Sequence, residues 1–240
     1  MGRVKIAKKS TFIDMTAMSD VTVLLLTFFM LTSTFLQKEP TTVITPASVS
    51  EEKVQETNVV QVLISPQGKV WLSMNNDTAQ AWSNDNMRKA LLQKVSDLYN
   101  ENHSNKIHFN DNQKAAFSKL GTFGVPLSQM GDFLNLADQE GGQTAMDKWL
   151  AGEDGNPNHK TGIPISWDNS MENNTEFQLW IRAIRMTEND NLKTAIKSGT
   201  GIALKADENT SFDIIHMVMD NLQSINQNKF TLMTALKAEE

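Results

Sequence analysis

The chain has 240 residues, 28 acidic against 22 basic side chains and a formal net charge of -6. That length allows one sizeable domain, and an acidic body argues against nucleic-acid binding as its main task. The absence of cysteine excludes a disulfide framework, thiolate zinc sites and cysteine nucleophiles together.

Although 40 % hydrophobic content is ordinary for a globular protein, the average hides one concentrated apolar run near the N-terminus. Arg3, Lys5, Lys8 and Lys9 open the chain, and from Thr16 to Leu36 it reads TAMSDVTVLLLTFFMLTSTFL. As a helix that stretch rises about 30 Å, the thickness of a bilayer's hydrocarbon core. Lys38, Glu39 and Pro40 close it. The basic flank predicts that residues 1–15 form a cytoplasmic tail and that everything after the span is exported, which in a bacterium means the periplasm. A cleaved signal peptide shares the basic start and the apolar run. Asp14 and Asp20, however, sit where a signal is neutral or basic, and the small-residue site near Thr45 and Ala47 is far downstream, so the segment is expected to be retained.

Asp20 is the single ionisable residue of the span. A carboxylate facing lipid costs several kcal/mol, so one inside a membrane helix marks a water-lined path or a proton relay, unless it lies near enough to the end to snorkel. Periodicity favours the relay. Asp20, Thr27 and Thr34 recur every seven residues and Thr16 precedes Asp20 by four, which puts all four on one stripe; Val21, Leu25, Phe28 and Phe29 lie opposite. Thr22, Thr32 and Ser33 are expected to bond back to helical carbonyls. Thr27 either does the same or holds a water in the ion's path.

Residues 37–58 read as an extended linker containing Val43-Ile44-Thr45-Pro46-Ala47-Ser48. Val59 to Ser73 reads as a hairpin, with Pro66-Gln67-Gly68 at the turn. Residues 86–99 carry Leu91, Leu92, Val95 and Leu98 at the spacing of an amphipathic helix. From about 100 to 175 the chain is Gly- and Asn-rich, with short helical pieces near 111–120, 127–137 and 143–150. A second main helix is predicted over 176–187, with Phe177, Trp180, Ile181 and Ile184 on one face, and the pattern can carry on through Leu192 and Ile196.

Several motifs are declined. Asp154-Gly155-Asn156-Pro157-Asn158 lacks the downstream Glu of a calcium loop and reads as a surface turn. His103, His108, His159 and His216 do not have metal-ligand spacing, and Gly199-Thr200-Gly201 lacks the strand that precedes a dinucleotide fingerprint. No cofactor, no metal and no catalytic residue is expected, and the chain is read as not an enzyme.

Ile13-Asp14-Met15-Thr16-Ala17-Met18-Ser19-Asp20-Val21, followed by LLLTFFMLTSTF, resembles the membrane signature of the ExbD/TolR family. Asp20 matches the family's essential carboxylate, and Thr27 falls where members often carry a polar side chain; Ala17 replaces the family's Pro and Ser19 a hydrophobic residue. Val43 to Ser48 is similar to the family's L-P-x-A/S linker motif. Gly201 to Asp207, Phe212 to Leu222 and Lys229 to Thr234 resemble its strand, helix and final strand, with Ser224-Ile225-Asn226 in place of the usual Ala-Gly.

The resemblance implies a single N-terminal transmembrane helix followed by an α+β periplasmic domain over 59–240, a small mixed sheet with two main helices carrying a mostly helical insertion at about 100–175. It also implies a proton-channel and motor subunit of the bacterial inner membrane, with Asp20 as the proton carrier. Two copies of the helix would sit inside a pentameric ExbB/TolQ-like multi-pass protein and drive a TonB-like periplasmic protein. A TolR-like role in envelope maintenance is the alternative, as is a membrane-tethered scaffold without ion transport. Contact with the periplasmic partner is expected by strand addition, along the hairpin edge at Val60, Val62 and Ile64 and the linker at Ile44 and Pro46.

Overall fold

The computed structural model describes residues 15–32, 39–49, 58–74, 85–167 and 174–236, and the chain divides into two units, residues 1–37 and 38–240. The basic tail, Asp14, Ser33, Thr34 and Lys38 lie outside the described residues.

In the first unit, Met15–Thr32 forms helix α1, already helical two residues before Ala17. Eighteen residues rise about 27 Å. Among the described residues no helix is long and apolar enough to cross a membrane, so the span expected over 16–36 is seen only as far as Thr32. The hydroxyls of α1 bond within the helix: Ser19 donates to the carbonyl of Met15 at 2.8 Å, Thr22 to that of Ser19 at 2.8 Å and Thr32 to that of Phe28 at 2.8 Å. Back-bonding of this kind satisfies each hydroxyl without an outside partner.

The second unit runs β1 (Ala47–Ser48), β2 (Val60–Ile64), β3 (Val70–Ser73), α2 (Asp85–Asn102), α3 (Asp111–Ser118), β4 (Thr122–Phe123), α4 (Leu127–Asn135) and α5 (Gly142–Ala151). It continues with α6 (Glu176–Arg185), α7 (Asp190–Ser198), β5 (Ile202–Ala206), α8 (Phe212–Ser224), β6 (Thr231–Leu232) and β7 (Ala235–Leu236). Five strands form a mixed sheet in the order β4-β3-β2-β5-β6, while β1 and β7 pair separately.

The hairpin forms where expected, because Gly68 takes a left-handed φ of 78° that its turn requires. β2 then pairs antiparallel with β3 from Gln61 opposite Ser73 to Ile64 opposite Val70, and parallel with β5 from Val60 opposite Ile202 to Ile64 opposite Ala206. A parallel neighbour demands a long crossover, here the whole stretch from α2 to α7. It also buries the strand on both faces: Val62, Leu63 and Ile64 are fully buried, which explains an apolar run rather than strict alternation.

Residues 100–175, expected as a mostly helical insertion, contribute side chains to the core of the second unit. They supply the sheet's edge strand β4, paired through Phe123 opposite Leu72. They also supply Phe117 and Phe123, whose rings lie 5.7 and 4.5 Å from that of Trp180. Gly124 is required here, since a Cβ would sit 2.2 Å from Cδ1 of Trp71. The helix predicted over 176–187 forms, and the optional continuation through Leu192 and Ile196 is instead a separate helix. α6 is capped at its start by Thr175, which accepts from the amide of Gln178, and α7 begins afresh with the Asn189 side chain accepting from the amide of Leu192 at 3.0 Å. A short polar cap of this type outcompetes continuation of the helix.

Candidate functional site

Met15, Met18, Val21, Val23, Leu24, Leu25, Leu26, Phe28, Phe29, Met30 and Leu31 of α1 are each at least 56 % exposed. Water is a poor solvent for so much exposed apolar surface on one helix. The one charge on its surface is Asp20, itself exposed. Thr16 and Thr27 share its stripe, since seven residues turn a helix through about two full turns and four through slightly more than one.

Thr27 resolves its open reading in part. Its hydroxyl donates to the carbonyls of Val23 at 3.0 Å and Leu24 at 2.9 Å, so its proton is committed to the backbone. What remains are oxygen lone pairs, which suit a water, a hydronium or a cation as the donor-side partner. Thr22 and Thr32 bond back as expected, and Thr34 lies outside the described residues.

The linker residues expected to be partner sites are held by the chain itself. Glu39 receives the ammonium of Lys205 at 2.7 and 2.9 Å. The amide of Ile44 donates to Asp207 Oδ2 at 2.9 Å, the amide of Glu208 to the carbonyl of Ile44 at 2.8 Å and that of Ala235 to Pro46 at 3.0 Å. Ala47 then pairs with Ala235 and Ser48 with Leu236. The side chains of Ile44 and Val49 remain outward, 56 % and 83 % exposed. The Asp207 carboxyl is held below the usual carboxylate range, first by the amide of Asn209 and then by that of Ile44. The sequence signalled no role for this acid; its pairing with a residue 163 positions away is a product of the fold.

Val60, Val62 and Ile64 are a correction. They do not form an edge: β2 is interior, with β3 on one ladder side and β5 on the other, and all three side chains are fully buried. Strand addition needs unpaired N–H and C=O groups, and these are already spent. Among the described strands, the ends of the five-stranded sheet are β4 and β6, and β1 has a neighbour on one side only.

Asp154 accepts from the amide of Asn156 at 3.3 Å and contacts His159, whose ring stacks on Trp149 with centroids 3.5 Å apart. His103 stacks on Tyr99 at 3.9 Å. Gly199 is the left-handed cap of α7.

Residues 7–122 match the family described as biopolymer transport protein ExbD/TolR. The matched stretch contains Asp20, the linker, β2, β3, α2 and α3 and reaches the first residue of β4; the C-terminal segment from 201 to 234 lies beyond it. No curated protein matches the chain, and no solved structure does.

Proposed function

Since the chain belongs to the ExbD/TolR family over residues 7–122, we propose that it is the proton-carrying subunit of an inner-membrane motor, with Asp20 as the carrier. The family's members are subunits of biopolymer transport complexes and not enzymes, and they work with ExbB/TolQ-type partners. The observation that supports the finer reading is α1 itself: an uncovered apolar helix whose single charge lies on a stripe with Thr16 and Thr27.

In this reading the span runs over 16–36, the tail is cytoplasmic and the α+β unit is periplasmic. A pentameric multi-pass protein encloses α1 and that of a second copy. Protonated, Asp20 tolerates a dry protein wall; ionised, it prefers a polar notch, so gain and loss of H⁺ bias which wall the helix faces. A water held by the Thr27 lone pairs extends the proton's path. One charge moved through 100 mV is worth about 2.3 kcal/mol, enough for a few protons to bias a rotation. The work is delivered to a TonB-like periplasmic protein, for which the exposed Ile44 and Pro46 offer a contact.

Asp20→Asn tests this. The variant should copurify with its multi-pass partner yet lose all activity that depends on the protonmotive force. A variant that assembles and remains fully active would leave only a tethered scaffold.

A further inference from the structure

Outside the membrane helix and the linker, the feature with the most unexplained chemistry is a basic concavity in the second unit. Arg185, Lys193, Lys197 and Lys229 line a groove of about 530 Å³ where the ends of α6 and α7 meet the loop after α8. A second groove of about 510 Å³ shares Arg185 and Asn226 and adds Arg182. Among the described residues no carboxylate lines either groove, in a chain whose net charge is -6.

The walls are fixed by buried main-chain contacts. Arg185 Nη1 donates to the carbonyl of Ile225 at 2.6 Å, which sets the plane of its guanidinium. Gln227, 5 % exposed, donates to the carbonyl of Lys229 at 2.7 Å and that of Ile196 at 3.3 Å, tying the loop to α7. Gly199, at a φ of 102°, allows the close approach of Lys229, whose Cβ would lie 2.9 Å from any Cβ at position 199.

Helix dipoles account for only part of this charge. Arg182 and Arg185 stand in the last turn of α6 and Lys197 in the last turn of α7, where cations answer the unpaired carbonyls. Lys193 lies in the middle of α7, and its contact with Asp190 is 3.9 Å long to a side chain that is 95 % exposed, an arrangement worth little. Lys229 is in a loop. Lys193 and Lys197 are also four residues apart on one helix face, where like charges repel. Cations of one sign around a concave surface focus the local potential, and an oriented guanidinium matches the two oxygens of a carboxylate or phosphate.

We propose that this groove binds an oxyanion-bearing ligand, one presenting a carboxylate or phosphate group to Arg185 and the three lysines. The site is independent of proton carriage by Asp20, so either can fail without the other.

The test uses the full chain in nanodiscs of uncharged lipid, titrated calorimetrically with pyrophosphate and separately with citrate. The wild type should bind at least one of them, with affinity falling as salt is raised. Lys193→Gln/Lys229→Gln should weaken that binding tenfold or more, and Lys229→Gln alone by less, while Lys148→Gln on α5 leaves it unchanged. Circular dichroism verifies that the variants keep their helices. Binding of pyrophosphate alone identifies a phosphate-bearing ligand, of citrate alone a carboxylate-bearing one. Binding of neither, equal binding by the double variant, or an equal loss in Lys148→Gln overturns the proposal.

Discussion

Arg88 offers the sharpest test of how the second unit is held together. Its side chain is 9 % exposed, and its guanidinium donates to the carbonyls of Leu120 at 2.5 Å, Met74 at 3.0 Å and Ser118 at 3.1 Å. It thereby ties α2 to the end of β3 and to the turn between α3 and β4. Burial pulls its pKa below the usual guanidinium range, opposed by Asp85, so the ion is costly to bury and is retained by those bonds. Arg88→Met keeps the apolar stem but leaves three inward carbonyls without a donor. Each bond from a charged donor is worth about 1.5–3 kcal/mol, the three are not additive, and relief of the buried charge offsets part of the loss. The net cost should be about 3 kcal/mol. With a urea slope of roughly 2 kcal/mol/M, the unfolding midpoint of the full chain in detergent falls by about 1.5 M. Tryptophan emission reports it, because Trp71 and Trp180 are buried. Arg88→Lys, with one ammonium to serve three carbonyls, should lie between. A midpoint for Arg88→Met equivalent to less than about 0.5 kcal/mol, the range of an ordinary surface change, would refute the reasoning.

Three further outcomes follow from individual groups. Burial raises the pKa of Glu176, only partly opposed by the amide of Leu127 and the charge of Lys160; its stabilising share is therefore present at low pH and lost as pH rises through the folded value. Glu176→Gln, which can still accept from Leu127, should equal or exceed the wild type in urea at pH 7 and lose that advantage near pH 4; a less stable variant at pH 7 contradicts this. The lowered pKa of Asp207 works in the other sense. Its hold on the linker is complete above the ordinary carboxylate range and is lost only as pH falls through the depressed value, so Asp207→Asn should speed hydrogen exchange at the Ile44 amide at pH 7, and unchanged exchange there would remove Asp207 from the clasp. Asn226, at a φ of 59°, takes a left-handed conformation in the turn after α8, and Asn226→Ala should cost about 1 kcal/mol in urea while Asn226→Gly costs a few tenths; equal stability of the two would show that the turn does not need that conformation.

What could be read from the sequence was what depends on neighbours along the chain. Pro66-Gln67-Gly68 marked its hairpin, and the spacing of Leu91, Leu92, Val95 and Leu98 marked α2. The break between α6 and α7 was also written locally, in Asn189 as a cap, while the apolar period running through Leu192 and Ile196 left a continuous helix open.

What failed depends on partners far along the chain. VVQVLIS gives a strand but does not say which ladder sides are open; β5, about 140 residues later, closes the side on which a docking edge was expected. The same distance hides the linker's fate. Ile44 and Pro46 carry no sign that Asp207 and Ala235 will bind them, because that clasp exists only once β5 and β7 are in place. Any partner that uses the linker must therefore work from its outward side chains, or else displace a clasp the domain has already made. These two routes differ physically: the first leaves exchange at the Ile44 amide slow when the partner binds, and the second makes it fast.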